Sequence, residues 1–170
     1  MADLTANEFS LVLLVLRVLF GLVFASHGLA KRKGGLGGTA AWFDSMGMRP
    51  GKVHAQLASL TEIGTGLLLV VGFLTPFAAA GVVGVMVVAG YTTHRKNGFF
   101  IVKSGWEYTF MVALMAVAIG GLGAGDWSVD AALDLDETWN GMIGLGIAIL
   151  LGAAGGIAQL LAFYRPPAKA

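Results

Sequence analysis

Five continuous apolar stretches, each long enough to cross a lipid bilayer, restrict this chain to a narrow set of folds. They cover residues 9–30, 54–73, 76–94, 105–123 and 139–164. A membrane-spanning α-helix needs about 20 apolar residues, whereas membrane β-barrel strands alternate between apolar and polar residues. The chain is 56% hydrophobic and 12% charged, against about 25% charged residues in a soluble domain. We therefore predict an all-α integral membrane protein with five transmembrane helices.

The segments between these stretches alternate in charge. Basic residues dominate residues 31–53, 95–103 and the tail at 165–170, while acidic residues dominate the N-terminal segment 1–8 and the loop at 126–138. Because cytoplasmic loops carry the excess of Lys and Arg, we predict that the N-terminus lies outside and the C-terminus lies in the cytoplasm. The net charge of +1, without a basic face, gives no sign of nucleic-acid binding.

Local signals predict where several helices begin. Residues 39–47 start with the capping residue Thr39 and end at a glycine, which predicts a short helix lying in the membrane interface. Thr75 precedes a proline, as a helix cap often does. Ser104 and Glu107 have the spacing of a capping box.

Arg17 lies in the middle of the first apolar stretch. A bare arginine in hydrocarbon costs between ~3 and ~15 kcal/mol, so it needs a partner. At 1.5 Å per residue, Glu62 of the second stretch lies within reach of its long side chain. We predict an Arg17–Glu62 ion pair. The pair could serve only to fix helix packing or could form the polar floor of a ligand pocket. A neutral Glu62, with Arg17 reaching the interface alone, is the third alternative.

The other ionisable groups near the stretches are predicted to gather at the cytoplasmic side, where Arg17 would reach towards them. They are His27, Glu62, His94 and Glu107. Each also has a structural explanation: His27 as an interfacial hydrogen-bonding residue, His94 as part of the basic rim, and Glu107 as a helix cap. The histidines lack the spacing of haem or metal ligands, so no metal site is predicted. The chain has no cysteine, which excludes iron–sulfur clusters, thiolate metal sites and a dithiol relay.

The last apolar stretch carries small residues at every fourth position. They are Gly144, Ala148, Gly152 and Gly156. Such a face lets another helix approach closely. The sequence leaves open whether that helix belongs to the same chain, to another copy of it or to another subunit.

Several short motifs, taken in order, resemble those of the DoxX family over residues from about 10 to about 125. They are Arg17, His27-Gly28-x-x-Lys31, Ala41-Trp42-Phe43-x-x-Met46-Gly47, Glu62-x-Gly64, Gly72-x-x-Thr75-Pro76 and Gly105-x-Glu107-Tyr108. The resemblance implies a four-helix transmembrane domain at residues 9–125 in a bacterial cytoplasmic membrane. It also carries Arg17, His27, Lys31, Glu62 and Glu107 over as a polar cluster. The acidic loop at 126–138 and the fifth span at 139–164 depart from the family pattern.

The resemblance also suggests functions, because relatives include a membrane subunit of a thiosulfate:quinone oxidoreductase and proteins that partner soluble redox enzymes. The first hypothesis is a membrane subunit, not itself redox-active, that binds quinone or a similar amphipathic ligand. No covalent cofactor is expected. The alternative is a non-enzymatic anchoring or assembly subunit, with membrane lipid and either other subunits or further copies of the chain as partners. A small-solute transporter is disfavoured because no inverted repeat or broken helix pair is visible.

Overall fold

The computed structural model describes residues 5–166, and of residues 136 and 137 it describes the backbone alone. The regular elements of this part of the chain are helical. They are α1 (Ala6–Arg32), α2 (Gly37–Ser45), α3 (Gly51–Val71), α4 (Thr75–Ala89), α5 (Glu107–Leu122), α6 (Val129–Ala132), α7 (Asp136–Trp139), α8 (Gly141–Gly146) and α9 (Gly152–Phe163). The predicted terminal segments 1–8 and 165–170 lie partly outside the described residues, as do their charges Asp3 and Lys169.

Two π-helical turns extend these helices. The turn Gly90–His94 continues α4, and the turn Ile147–Leu151 joins α8 to α9. The second turn makes one long element, Gly141–Phe163, which we call the C-terminal helix.

Four helices in the described part of the chain are long and apolar enough to cross a membrane. They are Ala6–Arg32, Gly51–Val71, Thr75–Asn97 and Gly141–Phe163. The prediction of an all-α membrane bundle is therefore confirmed. The stretch predicted to span at 105–123 is the shorter α5, with 16 residues. Helix α5 begins late because Gly105 packs against the backbone of Gly98 and Phe99 in the preceding turn.

Helices α1 and α3 pack against each other in opposite directions. A Cβ atom on Gly21 would lie 2.5 Å from the Gly66 carbonyl oxygen, so only glycine allows this approach. The Ser59 hydroxyl donates a 2.8 Å hydrogen bond to the Gly28 carbonyl and fixes the same register. We call the end where α1 begins and α3 ends the Arg17 end of the bundle, and the opposite end the Lys31 end.

Helix α4 is the centre of the bundle and packs against α3, α5 and the C-terminal helix. Its core positions, which include Ala79, Val82 and Val83, are buried. The small residues of the C-terminal helix face inward: Ala148 is fully buried. A Cβ on Gly152 would lie 2.7 Å from the Ala80 carbonyl oxygen. Of the alternatives left open for this face, packing within the chain is the one found, and α4 and α5 occupy it.

The C-terminal helix is also tied to the beginning of α3. The Arg165 backbone N–H donates to the Gly47 carbonyl at 2.8 Å. The side chains of Gln159 and His54 are hydrogen-bonded at 3.0 Å. The C-terminal helix is therefore an integral wall of the bundle at the Lys31 end.

The predicted helix-capping roles of Thr39 and Thr75 are wrong. Helix α2 begins at Gly37, and the Thr39 hydroxyl donates to the Lys31 carbonyl at 3.2 Å. Helix α4 begins at Thr75 itself, and the buried Asp130 carboxylate accepts from the backbone N–H groups of Leu74 (2.7 Å) and Thr75 (3.0 Å). At α4 a tertiary contact therefore replaces the local cap that the sequence suggested, whereas at α2 the Thr39 hydroxyl bonds to the end of α1 instead.

Candidate ligand-binding groove

The polar residues predicted to form one cluster lie in three separate places. The Arg17 guanidinium binds near the carboxyl end of α3, whereas Lys31 and Glu62 form a pair nearer the Lys31 end of the bundle. His94 and Glu107 hold a loop at the Lys31 end. A single ligand therefore cannot contact all of them.

Arg17 is buried, with 1% of its surface exposed, and its guanidinium donates to four backbone carbonyls. Its Nε donates to Ala124 at 3.0 Å. Its Nη1 donates to Leu69 at 3.2 Å and to Val70 at 2.6 Å. Its Nη2 donates to Trp127. Arg17 thus caps the carboxyl end of α3 and fastens the segment that follows α5.

The predicted Arg17–Glu62 ion pair is therefore wrong, and the direction of side chains on a helix explains why. Side chains lean towards the amino end of their own helix. Arg17 accordingly extends towards the Arg17 end, away from Glu62. Lys31, near the carboxyl end of α1, extends back into the bundle and takes Glu62 as its partner.

The Lys31 ammonium lies 2.5 Å from Glu62 Oε2. The Glu62 side chain is 6% exposed, whereas the Lys31 side chain is 22% exposed. His27 lies one turn before Lys31 on α1, on the exposed side of the helix. This ion pair is the charged part of the candidate site, because both residues line a cavity.

His94 and Glu107 organise the loop between α4 and α5. The His94 Nδ1 is hydrogen-bonded to the Ser104 carbonyl at 2.8 Å. Glu107 accepts from the Ile101 backbone N–H at 2.8 Å. The predicted Ser104–Glu107 capping box is therefore wrong, since Ser104 adopts a left-handed conformation with φ of 57°.

The cavity is a half-open groove of about 470 Å³ between α3, α4 and the C-terminal helix, with α2 across its Lys31 end. Leu57 and Gly155 both line it and are exposed, so it opens to the lipid-facing surface. We call it the α3 groove. Most of its wall is apolar. Its polar side chains are those of Lys31, Thr61, Glu62, Thr92, Thr93 and Gln159, and Trp42 of α2 lines it at the Lys31 end.

Small residues on two helices create the α3 groove. Helix α4 contributes Ala80, Gly81 and Gly84, and the C-terminal helix contributes Gly155. The space in front of Gly155 is open, because a Cβ there would have no neighbour within 4 Å. Helix α4 and the C-terminal helix can therefore contact each other and still leave space for the α3 groove beside the contact.

Gln159, which lines the α3 groove, and its hydrogen-bond partner His54 were not among the predicted site residues. Gln159 lines the groove and bonds to the buried His54, which packs edge-on against Phe163 at 5.0 Å between ring centroids. An amide inside an apolar span is costly unless it is hydrogen-bonded, so Gln159 was the available signal in the sequence. His54 carried no comparable signal, because it stands at the edge of its stretch.

The donor set of the α3 groove suits hydrogen bonding to an organic ligand rather than a metal. Within residues 5–166, leaving aside the side chains of 136 and 137, no three His, Cys, Asp or Glu side chains gather in one place. An ammonium paired with a carboxylate offers a donor and an acceptor 2.5 Å apart. A ligand with a carbonyl or hydroxyl group matches that arrangement.

The fold and this groove define a helical membrane protein with a charged pair facing a lipid-accessible cavity. The DoxX family model matches residues 12–95, and the chain belongs to the DoxX family. The matched segment supplies α1 to α4 and the Lys31–Glu62 pair. The matched segment ends at 95, short of the predicted resemblance to about 125. No curated protein and no solved structure matches the chain.

Proposed function

We propose that this DoxX-family membrane protein binds a lipid-soluble amphipathic ligand in the α3 groove, with quinone as the leading candidate. The observation that carries the proposal is the ion pair between the buried Glu62 and the partly exposed Lys31 on the wall of a mostly apolar, lipid-accessible cavity. The Glu62 side chain is only 6% exposed, and removing a charged group from water costs several kcal/mol of solvation free energy. A ligand headgroup would offset part of that cost.

The chemistry of the pair fits both redox forms of a quinone. The Lys31 ammonium can donate a hydrogen bond to a quinone carbonyl, and the Glu62 carboxylate can accept one from a quinol hydroxyl. The hydroxyls of Thr61, Thr92 and Thr93 line the same groove and supply further hydrogen bonds.

The size of the α3 groove suits a ligand that is only partly enclosed. Ligand pockets commonly measure about 300–1,000 Å³, and this groove has about 470 Å³. Its open side between Leu57 and Gly155 would let an isoprenoid or alkyl tail continue into the bilayer. Such a ligand could enter from the membrane without crossing water.

The protein would supply the binding site, and a separate partner would supply the redox centre. The chain contains no cysteine, so it has no thiolate ligands for a cluster and no dithiol of its own. The exposed basic residues at the Lys31 end, which include Arg32, Lys33 and Lys96, suit a soluble partner with an acidic surface. On this proposal the protein is the membrane subunit of an oxidoreductase system.

The proposal is tested by the thermal stability of the purified protein with a short-chain ubiquinone. A bound ligand at 100 times its Kd stabilises a protein by ~2.7 kcal/mol, so the unfolding temperature should rise with quinone concentration and saturate. The matched control is an alcohol with the same tail but no quinone ring. A shift with the quinone and none with the alcohol supports recognition of the headgroup. An equal shift with both, or none with either, would contradict it.

Anchoring or assembly without ligand binding is the second candidate. The small-residue face of the C-terminal helix is occupied within the chain, so a partner would have to dock on the exposed basic loops or on the lipid-facing side. Purification in mild detergent should then return the chain with a second protein in fixed ratio. Recovery of the chain by itself, saturably stabilised by quinone, would favour the ligand-binding proposal instead.

A further inference from the structure

A second groove lies on the other side of the contact between α4 and the C-terminal helix. It measures about 660 Å³ and is bounded by α4 and its π-helical turn, by α5 and by the end of the C-terminal helix. We call it the α5 groove. It is confined to the Lys31 end, because at the Arg17 end Gly120 and Ala148 bring α5 and the C-terminal helix into contact.

The α5 groove is apolar along its length and basic at its mouth. Its apolar wall includes Ala113, Ile157 and Leu161. Its mouth is formed by Tyr91 and Arg95, and the guanidinium carbon of Arg95 lies 3.8 Å from the centre of the Tyr91 ring.

The Tyr91 contact holds the arginine at the mouth without using its hydrogen-bond donors. A cation–π contact engages the face of the aromatic ring, so the five guanidinium N–H groups stay available for a bidentate anion. Trp106 and Tyr164 complete an aromatic rim around the groove mouth. Aromatic rings of this kind are typical of the headgroup level of a bilayer.

We propose that the α5 groove is a binding site for an anionic phospholipid. The phosphate would bind Arg95, and one acyl chain would lie between α5 and the C-terminal helix. Charge complementarity favours an anionic headgroup, because Arg95 lines the α5 groove and Lys96 adjoins Arg95 in sequence. The acidic residue nearest in sequence, Glu107, is already bonded to the Ile101 backbone. The apolar wall of the α5 groove suits an acyl chain, since lipid tails fill an open apolar groove in a bilayer.

The local backbone supports this site. Tyr91 and Arg95 belong to the region where α4 widens into the π-helical turn Gly90–His94. Such turns are rare in helices and frequent at functional sites. Gly90 keeps α5 close to the base of the groove, because a Cβ there would lie 3.1 Å from the Thr109 hydroxyl oxygen.

The charge requirement is tested with Arg95→Gln and, as a control with the same change in net charge, Lys103→Gln. Native mass spectrometry of the detergent-purified protein with added phosphatidylglycerol should show one retained lipid. We expect Arg95→Gln to weaken its retention at least about fivefold, which is ~1 kcal/mol, while Lys103→Gln stays within twofold of wild type. Equal losses in both variants would indicate general surface attraction and overturn the site. Equal retention of phosphatidylcholine by the wild type would overturn the charge selection.

The groove itself is tested with Ala113→Phe, which places a ring in the α5 groove, and Ala118→Phe, which adds the same ring on an exposed position of α5 outside both grooves. Ala113→Phe should lose the retained phosphatidylglycerol and Ala118→Phe should keep it, with similar unfolding temperatures in lipid-free detergent. Inorganic phosphate is the probe for a headgroup-only site. Stabilisation by inorganic phosphate equal to that by phosphatidylglycerol, or unchanged retention in Ala113→Phe, would overturn the acyl-chain assignment. The proposed binding of quinone in the α3 groove does not depend on the outcome of these lipid-retention tests.

Discussion

Arg17 demonstrates how a permanent charge is accommodated inside this bundle by backbone carbonyls, with no carboxylate bonded to it among the side chains that the structure describes. Its four acceptors are backbone carbonyls at the end of α3 and in the segment after α5. Carbonyls at a helix end lack partners within the helix, so they are natural acceptors for a guanidinium. The residue is therefore structural, and its role is to close the Arg17 end of the bundle.

Replacing Arg17 should destabilise the fold strongly. Hydrogen bonds to charged groups contribute ~1.5–3 kcal/mol each, so Arg17→Gln should lower the free energy of unfolding by at least ~3 kcal/mol. Arg17→Lys should fall between that variant and wild type, because an ammonium keeps the charge but lacks the planar fork of donors. Reversible unfolding in detergent micelles measures the free energy of unfolding of the wild type and of both variants. An Arg17→Gln variant as stable as wild type would contradict a structural role.

The Lys31–Glu62 pair should show energetic coupling in a double-mutant cycle. Lys31→Met alone leaves the 6% exposed Glu62 side chain without its partner and should cost ~3–5 kcal/mol. Glu62→Gln alone should cost less, since Lys31 is 22% exposed and can reach water. The double variant should lose less unfolding free energy than the two single variants lose in sum. Strictly additive costs, measured by the same unfolding assay, would mean that the two side chains do not stabilise each other.

The sequence predicted that Arg17 and Glu62 each need a polar partner, because hydrocarbon forbids bare charges. It could not predict which partner, since backbone carbonyls exist at every position and leave no mark in the sequence. Lys31 was carried over only by family resemblance. The direction in which side chains lean on α1 would have favoured Lys31 over Arg17 as the partner of Glu62.

At the scale of elements, the carboxyl end of α3 and the amino end of α4 are completed by residues that are distant in sequence. The clearest case is α4, whose first N–H groups are accepted by Asp130, 55 and 56 residues later. The segment carrying Asp130 also supplies two of the carbonyls that bind Arg17. The acidic segment after α5 is therefore a cap on the bundle and not a loose connection.

Removing this cap should weaken the Arg17 end. Loss of an N-capping carboxylate typically costs ~0.5–2 kcal/mol, and Asp130 is buried with two such bonds, so Asp130→Ala should lie at the upper limit of that range. Asp126→Ala is the matched control, because Asp126 is exposed and its carboxylate accepts from the Ser10 hydroxyl. Its cost should be smaller. Equal unfolding free energies for the two variants would contradict the capping role.

Apolar length alone identified the positions of the long helices, because a bilayer imposes about 20 apolar residues on a spanning helix. It also located α5, predicted at residues 105–123, but could not predict that the helix begins only at Glu107, after Gly105 has packed against Gly98 and Phe99. The small residues of the C-terminal helix were recognisable as a packing face. Only the packed structure indicates that α4 and α5 cover that face.

At the scale of the whole molecule, the α3 groove combines the segment matched by the family model with the C-terminal helix that follows it. The match to DoxX covers residues 12–95 and provides two walls of the α3 groove. The third wall is the C-terminal helix at Gly141–Phe163, outside the matched segment. The α3 groove is therefore built jointly, and its shape cannot be inferred from the family domain by itself.

The predicted orientation can be measured directly because the chain has no cysteine. Single cysteines at Lys33 and Leu133, both exposed and at opposite ends of the bundle, report on the two sides. With intact cells and a membrane-impermeant maleimide, Leu133→Cys should be labelled and Lys33→Cys should be labelled only after lysis. The reverse pattern would place the basic loops outside and contradict the orientation predicted from loop charge.

Ligand binding in the α3 groove is tested most directly by filling it. Gly155→Phe places a ring in the groove, whereas Gly146→Phe puts the same ring on the same helix outside it; a Cβ at either glycine has no neighbour within 4 Å. Binding of a short-chain ubiquinone to each purified variant should fall at least about tenfold, or ~1.4 kcal/mol, for Gly155→Phe and remain at the wild-type value for Gly146→Phe. Wild-type affinity in a folded Gly155→Phe protein would contradict the central claim.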